Sequence, residues 1–254
     1  MRPWLWPCRA RGRRGGETVT PVLHLIILAG GDGHRARRDG ADAPKQFQNV
    51  GGRPLWRWSV DALAGHPAVA SLTLTCGAAW RDELRADLPA RVGGHAPVLA
   101  DPGPTRTAST LSALEALAAA AAPAPDDLVA VHDAARPLAD HALLDRLLAA
   151  AAAHGGAVPC VPVTDTTVRV GADGRLAYLP RAELRGVQTP QVFRWEEFLA
   201  AHRAAAARGE SFTDDGGLMA AAGRPPVLVD GDARNAKITT AADLDALRAA
   251  PEDA

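Results

Sequence analysis

The amino-acid sequence predicts an α/β protein built on a doubly wound, mainly parallel sheet with a projecting β-hairpin arm. Three observations carry this expectation. Short apolar runs alternate along the chain with alanine-rich stretches of helical period. The first run, LHLIIL at 23–28, leads directly into a turn holding Gly30, Gly31 and Gly33. The alternation breaks once, between 164 and 187, where two β-patterned runs flank the polar turn Ala172-Asp173-Gly174-Arg175.

Each element has its own reason. The run at 23–28 is continuously apolar, the pattern of a strand buried on both faces. Residues 54–63 begin with Pro54, a favourable first helical residue, and Leu55, Trp58 and Ala62 follow at helical spacing. VASLTLTC at 69–76 and the short run 98–100 are strands. Residues 107–122 form a helix with Leu111, Leu114 and Leu117 on one stripe, ended by Pro123 and Pro125. LVAV at 128–131 is a strand running into His132-Asp133. A helix at 143–153, a strand at 157–163 and the hairpin strands 167–170 and 176–179 follow. Helices at 195–207 and 215–222, a strand at 227–229 and a helix at 241–250 complete the pattern. Thr240 is placed to cap the last helix, with Asp243 at the capping-box position. Ligands of doubly wound sheets sit beyond the carboxyl ends of the strands, which points to the segments after Leu28, Val131, Val163 and Val229.

Composition narrows the function. The chain has 254 residues, enough for one large domain, with 47% hydrophobic and 22% charged residues. Its formal net charge of −1 gives no field for nucleic acid, so phosphates would be held by a few placed cations. No stretch approaches the about 18 apolar residues of a membrane span. Cys8, Cys76 and Cys160 form neither a disulfide framework nor a zinc spacing. Cys76 and Cys160 are expected as core residues on strands, and a reducing cytoplasm is the expected location. In residues 1–20, Trp4-Leu5-Trp6 precedes Arg9, Arg11, Arg13 and Arg14, the reverse of a signal peptide. This segment is expected to be a flexible extension ahead of a domain over 21–254.

Several segments carry chemistry. Between Ala29 and Phe47, glycine N–H groups can approach a phosphate, and Arg35 and Lys45 flank the turn. The segment lacks the Lys-Ser/Thr ending of a P-loop, and by itself it equally fits an ordinary tight turn. In His132-Asp133-Ala134-Ala135-Arg136-Pro137, the strand-end carboxylate of Asp133 can hold Mg²⁺, accept from a hydroxyl, or cap the helix near Asp140. Arg136 supplies a fork for oxygen ligands. His132 reads as a structural hydrogen-bonder. Gln188-Thr189-Pro190-Gln191, Thr213-Asp214-Asp215 and Lys237-Ile238-Thr239-Thr240 read singly as loops, caps or strand ends.

Taken in order, these segments resemble the 2-C-methyl-D-erythritol 4-phosphate cytidylyltransferase family over about residues 22–248. The resemblance implies a Rossmann-like nucleotidyltransferase fold. It implies formation of CDP-methylerythritol and pyrophosphate from CTP and methylerythritol phosphate, with Mg²⁺, in non-mevalonate isoprenoid synthesis. By position, Arg35 and Lys45 match the cations that stabilise the α-phosphate transition state. Arg181, eight residues before Thr189, and Lys237 match the groups that position the sugar-alcohol phosphate. Asp133, Arg136, Thr166, Thr189 and Thr213 match substrate or metal neighbours, with Asp133 the metal candidate. Gly31, Arg106 and Ser109 fall where the family contacts cytidine and triphosphate, and Gly33 joins them as a substrate-binding position. The hairpin at 164–184 matches a dimerisation arm that completes a partner's site, so a homodimer is implied. The chain departs from the pattern in a longer loop containing Arg37, Arg38, Asp39 and Gly40, in Ala36, and in Pro104, where the family often has Asp.

The implied reaction suits the residues. In-line attack by a phosphate oxygen on the α-phosphorus gathers negative charge and needs no covalent nucleophile, so catalysis falls to positioning cations and Mg²⁺. A related family acting on ribitol 5-phosphate shares the CTP machinery; the two alanines of His132–Pro137 and the presence of Arg181 favour methylerythritol phosphate. A non-catalytic nucleotide-binding module would have lost the cations, which are present. A dinucleotide-dependent dehydrogenase would carry an acidic ribose-binding residue about 20 positions past the glycine turn, and none is evident.

Overall fold

The computed structural model describes residues 22–31 and 43–249. The expected N-terminal extension, Gly33 and Arg35 lie outside the described residues.

The run LHLIIL forms strand β1 (Leu23–Leu28), buried almost throughout. A 3-10 turn at Lys45–Phe47 and a small hairpin of β2 (Asn49–Val50) and β3 (Arg53–Pro54) precede helix α1 (Leu55–Leu63). Then come β4 (Val69–Thr75), α2 (Arg81–Asp87), β5 (Val98–Ala100), α3 (Arg106–Ala121), β6 (Leu128–Asp133) and α4 (His141–His154). Next in the chain are β7 (Gly156–Pro162) and the arm strands β8 (Val168–Val170) and β9 (Leu176–Tyr178). β10 (Arg185–Val187) and β11 (Gln191–Arg194) return the chain to the body. Helices α5 (Trp195–Ala207) and α6 (Asp215–Ala221), strand β12 (Val227–Asp230) and helix α7 (Ala241–Ala249) finish it.

Side-chain period explains the layers. Along β1, Leu23, Leu25 and Ile27 join one buried cluster, with Trp56 and Val60 of α1 and Leu143 and Leu147 of α4. Ile26 points the other way, into a cluster with Leu114 and Leu117 of α3 and Phe198 of α5. β6 divides likewise, Leu128 and Ala130 against Val129 and Val131. Helices cover both faces, so strands at the centre are apolar on both. Helix starts are set by side chains: Thr105 accepts from the Ala108 N–H at 3.1 Å, and Asp140 from the Leu143 N–H at 2.7 Å. Thr240 and Asp243 form the expected reciprocal box, with N–H to side-chain distances of 3.2 and 2.8 Å.

The sheet is mixed but mostly parallel. β1 lies between β4 and β6, parallel to both, and β5 pairs parallel with β4. β11 runs antiparallel to both β6 and β7. The chain steps from β1 out to β4 and β5, then returns to the other side of β1 with β6. That reversal opens a crevice between β1 and β6. Register brings Leu28, Thr75 and Asp133 to one level at its rim.

The structure differs from the sequence expectations in five places. The buried stripe of α1 is Trp56, Ser59, Val60 and Leu63 beside Leu55, not Leu55, Trp58 and Ala62. Trp58 turns aside, donating to the Val50 carbonyl and lying against Arg53. Leu111 is only half-buried, and Thr107 and Thr110 share the buried face of α3 with Leu114 and Leu117. α2 has a single buried residue, Leu84, so its sequence carries no apolar period. β10 and β11 arise from the segment read as hairpin end and loop. Cys160 lies on β7 as expected; Cys76 falls one residue past β4; both are buried and free. No described helix is long and apolar enough to cross a membrane.

Candidate active site

The carboxyl ends of β1, β4 and β6 open into a cavity of ≈ 570 Å³. Its floor is the glycine turn. Gln46, buried in the 3-10 turn, donates to the Ala29 carbonyl at 2.8 Å and to the Gly31 carbonyl at 2.5 Å, holding that turn from beneath. Gly30 must lack a side chain, since a Cβ there would meet the Pro102 ring carbon at 2.3 Å. Lys45, beside Gln46, reaches across the cavity and donates to the Ile238 carbonyl at 2.6 Å.

The opposite wall is the start of α3. Gly103 packs so closely on the helix that a Cβ would sit 2.5 Å from that of Ala108. Ser109 ties this turn down: its hydroxyl accepts from the Gly103 N–H at 3.0 Å and donates to the Thr105 carbonyl at 2.9 Å. The N-terminal end of a 16-residue helix thus faces the cavity, with Arg106 as its first residue. Unpaired N–H groups and a partial positive charge there favour an anion.

Asp133, the last residue of β6, stands between this cavity and a second of ≈ 290 Å³. Arg106 and Lys237 line both cavities too. The Lys237 ammonium is 2.6 Å from Asp133 Oδ2, and Arg106 Nε is 3.6 Å from Oδ1. Burial pushes the Asp133 carboxyl up, but Arg106 and Lys237 outweigh it and hold the group well below the usual carboxylate range. The smaller cavity is completed by Arg136, Thr189, Thr213 and Asp214, with Gln188 and Gln191.

Two of the expected substrate neighbours are engaged by the protein's own groups. Arg136 donates to the Asn235 carbonyl at 2.7 Å and the Val187 carbonyl at 3.3 Å, tying three strand-end loops together. The Thr189 hydroxyl accepts from the Asp133 N–H at 3.0 Å and donates to His132 Nδ1 at 3.0 Å. His132 Nε2 faces the Arg136 carbonyl at 2.9 Å, an acceptor only, so the proton sits on Nε2. Burial lowers the imidazole to about 4 and keeps it neutral. His132 is therefore a structural hydrogen-bonder that fixes the backbone beneath Asp133. Asp133 caps no helix; Asp140 caps α4.

Lys45, Lys237, Arg106, Ser109, Asp133 and Gly31 thus meet around the larger cavity, and Arg136, Thr189 and Thr213 around the smaller. Thr166 and Arg181 line neither. They lie exposed on the arm, where Arg181 donates to the Thr164 carbonyl at 2.7 Å. The sequence reading missed the supports: Gln46 under the glycine turn, and Gln188, whose amide donates to the Asp232 carbonyl at 2.7 Å. Each sits beside a residue singled out for its charge or hydroxyl, and a neutral amide gives no comparable signal.

The comparisons decide the family. A family model described as IspD: 2-C-methyl-D-erythritol 4-phosphate cytidylyltransferase matches residues 23–250. The chain belongs to the IspD family. It is 44% identical over 230 residues to the bifunctional enzyme IspD/IspF of Rhodospirillum rubrum, covering 89% of this chain and 56% of that protein. It is 43% identical to the Sphingopyxis alaskensis bifunctional enzyme IspD/IspF, covering 90% and 55%. The chain thus spans about half the length of these curated relatives. Among solved structures it resembles the 2-C-methyl-D-erythritol 4-phosphate cytidylyltransferase of Thermus thermophilus, with TM-score 0.70 and 34% identity over 90% of this chain and 98% of that one. It also resembles the bifunctional IspDF of Campylobacter jejuni, with TM-score 0.72 and 26% identity over 88% and 53%. The IspD fold accounts for the mixed, mainly parallel sheet and its flanking helices.

Proposed function

We propose that this chain is a CTP-dependent nucleotidylyltransferase that makes CDP-methylerythritol and pyrophosphate from CTP and 2-C-methyl-D-erythritol 4-phosphate. The observation that carries the reading is the pair of cavities sharing Arg106, Asp133 and Lys237 as a common wall. A reaction joining two phosphate-bearing substrates needs two pockets meeting at a cluster of charge. The larger takes CTP, with its phosphates against the glycine turn, Lys45 and the start of α3. The smaller takes the sugar-alcohol phosphate beside Lys237 and Thr213. An oxygen of that phosphate attacks the α-phosphorus, the new P–O–P link forms, and the bond to the β-phosphate breaks with pyrophosphate leaving. Lys45, Lys237 and Arg106 offset the charge gathered at the α-phosphate, and the family resemblance adds Arg35.

Mg²⁺ fits the donor set. Among the described residues no three His, Cys, Asp or Glu side chains cluster to cage a metal. Mg²⁺ bound with a nucleotide asks for less: one or two carboxylates, substrate phosphate oxygens and waters. Asp133 supplies the carboxylate, and the ion when bound neutralises triphosphate charge.

The reading extends to assembly. Thr166 and Arg181 stand away from their own chain's cavities, and the arm shows one apolar face. Val168 pairs with Tyr178 and Val170 with Leu176, so all four point to one side. Val170 is 64%, Leu176 56% and Tyr178 73% exposed. Packing against a second copy would bury this face and carry Arg181 to the partner's sugar-phosphate pocket, which supports a homodimer. The free, buried Cys76 and Cys160 support a reducing cytoplasm.

The test is direct. Purified protein is incubated with CTP, Mg²⁺ and either methylerythritol phosphate or ribitol 5-phosphate, and pyrophosphate release is followed. Release with the first alone is expected. Release with ribitol 5-phosphate alone overturns the substrate, and none with either overturns the reaction.

A further inference from the structure

The segment Thr213-Asp214-Asp215 contains a carboxylate for which the cytidylyl-transfer reading has no task. Asp215, the first residue of α6, is 1% exposed. Its Oδ2 lies 2.7 Å from Arg106 Nη1, and its Oδ1 lies 3.3 Å from Nε2 of His202, itself fully buried. His202 stands edge-on to Phe198 at 4.6 Å, and Phe198 stacks on Phe193. A carboxylate is thus sunk into the apolar layer behind the catalytic crevice. Such burial seldom gains stability over apolar packing, because removing the charges from water costs as much as their attraction returns. What it does supply is a fixed position.

Asp215 is itself held firmly. Gln191 of β11, fully buried, accepts from the Gly216 N–H at 2.9 Å and donates to Asp214 Oδ2 at 2.8 Å. Asp214 Oδ1 in turn caps the Gly217 N–H at 3.1 Å. The residues on both sides of Asp215 are therefore clamped to the antiparallel strand between β6 and β7. Arg106 Nη1 meets Asp215 Oδ2 as a close ion pair without hydrogen-bond alignment, and the buried Nη2 finds no hydrogen-bond partner among the described residues.

We propose that Asp215, clamped through Gln191 and backed by His202, is a positioning residue for Arg106. Among the described residues, it fixes the guanidinium that faces both cavities. An arginine held in its binding pose before the ligand arrives loses less side-chain freedom on binding. The inference rests on the cytidylyl-transfer reading and adds a residue that touches neither substrate.

The test is a double-mutant cycle on CTP affinity, measured by titration calorimetry with Mg²⁺ present. Four proteins are compared: wild type, Asp215→Asn, Arg106→Met and the double variant. Asp215→Asn is expected to weaken CTP binding roughly tenfold in the wild type. In the Arg106→Met background it is expected to change affinity by less than about twofold, since nothing remains to position. Equal losses in both backgrounds, as a purely structural role would give, overturn the inference; so does unchanged affinity in Asp215→Asn. Should either single variant fail to fold, His202→Gln in wild-type and Arg106→Lys backgrounds gives the same comparison with Asp215 still paired. A several-fold loss confined to the wild-type background is then expected, and equal losses in both overturn the inference. Wild-type protein that does not bind CTP would instead overturn the cytidylyl-transfer reading. Arg106→Met binding CTP as wild type does would remove Arg106, and with it this role for Asp215.

Discussion

Lys237 Nζ stands 2.6 Å from Asp133 Oδ2, and the pair forms part of the wall that the two cavities share. Asp133 is fixed as the last residue of β6, with its N–H on Thr189. Lys237 comes from the loop after β12 and remains exposed. One partner is thus held by the sheet and the other stands exposed, where a phosphate can meet it. Lys237→Met is expected to lower turnover by about 10²–10³ with both substrates saturating, the usual loss for a group that meets developing charge. Pyrophosphate release measures it, and turnover within a factor of about three of wild type would exclude Lys237 from the reaction.

Much of this arrangement was legible in the sequence. The alternation of strands and helices located the strand ends, and with them Asp133 and the glycine turn, because a doubly wound sheet binds ligands there. What the sequence did not show follows from two physical causes. β11 is only four residues long and begins with the polar Gln191, so no apolar period marks it. Contacts between distant segments leave no local trace: the Arg106–Asp215 pair spans elements more than a hundred positions apart. The reverse holds for Arg136 and Thr189. Their chemistry suggested ligands, and the structure adds internal partners: Arg136 donates to two carbonyls, while the Thr189 hydroxyl accepts from the Asp133 N–H and donates to His132.

Lys45 lines the larger cavity. Its Nζ meets the Ile238 carbonyl at 2.6 Å, one residue from Lys237. Lys45→Ala is expected to reduce turnover by about 10²–10³ while weakening CTP affinity far less, since its charge matters most at the α-phosphate during transfer. Turnover is compared with CTP affinity from titration. Equal losses in both would make Lys45 a ground-state binding group.

Acid should weaken the fold through His132. Burial, the dominant cause, lowers its folded-state value to about 4 from an ordinary 6.5, against the opposing pull of Asp133 and its hydrogen bonds. Between those values the unfolded chain takes up a proton that the folded one does not. Stability is therefore intact above about 6.5, falls as pH drops toward 4 and levels off below, by up to roughly 3 kcal/mol. His24, also lowered by burial, adds a loss of the same sign. Urea midpoints of wild type and His132→Gln between pH 7 and 4 measure the effect. The variant is expected to show the shallower fall, and identical slopes would deny His132 this role.

In the proposed homodimer, the arm completes the partner's site. Arg181 holds the Thr164 carbonyl on the arm and lines neither cavity of its own chain, while Val170, Leu176 and Tyr178 offer an uncovered apolar face. A two-stranded hairpin is marginal in water unless something packs on it. Tyr178→Glu should therefore convert a dimer to monomers, read by sedimentation, with activity falling in parallel. The sharper measurement mixes two inactive variants, Lys45→Ala and Arg181→Ala, under conditions that exchange subunits. If Arg181 serves the partner's site, each mixed dimer holds one site with both substitutions and one with neither, so activity returns. If Arg181 serves its own chain, every site in the mixed dimer carries one substitution. Exchange shown by differently tagged subunits, without recovery of activity, would place Arg181 in its own subunit's site and leave the arm a purely adhesive role.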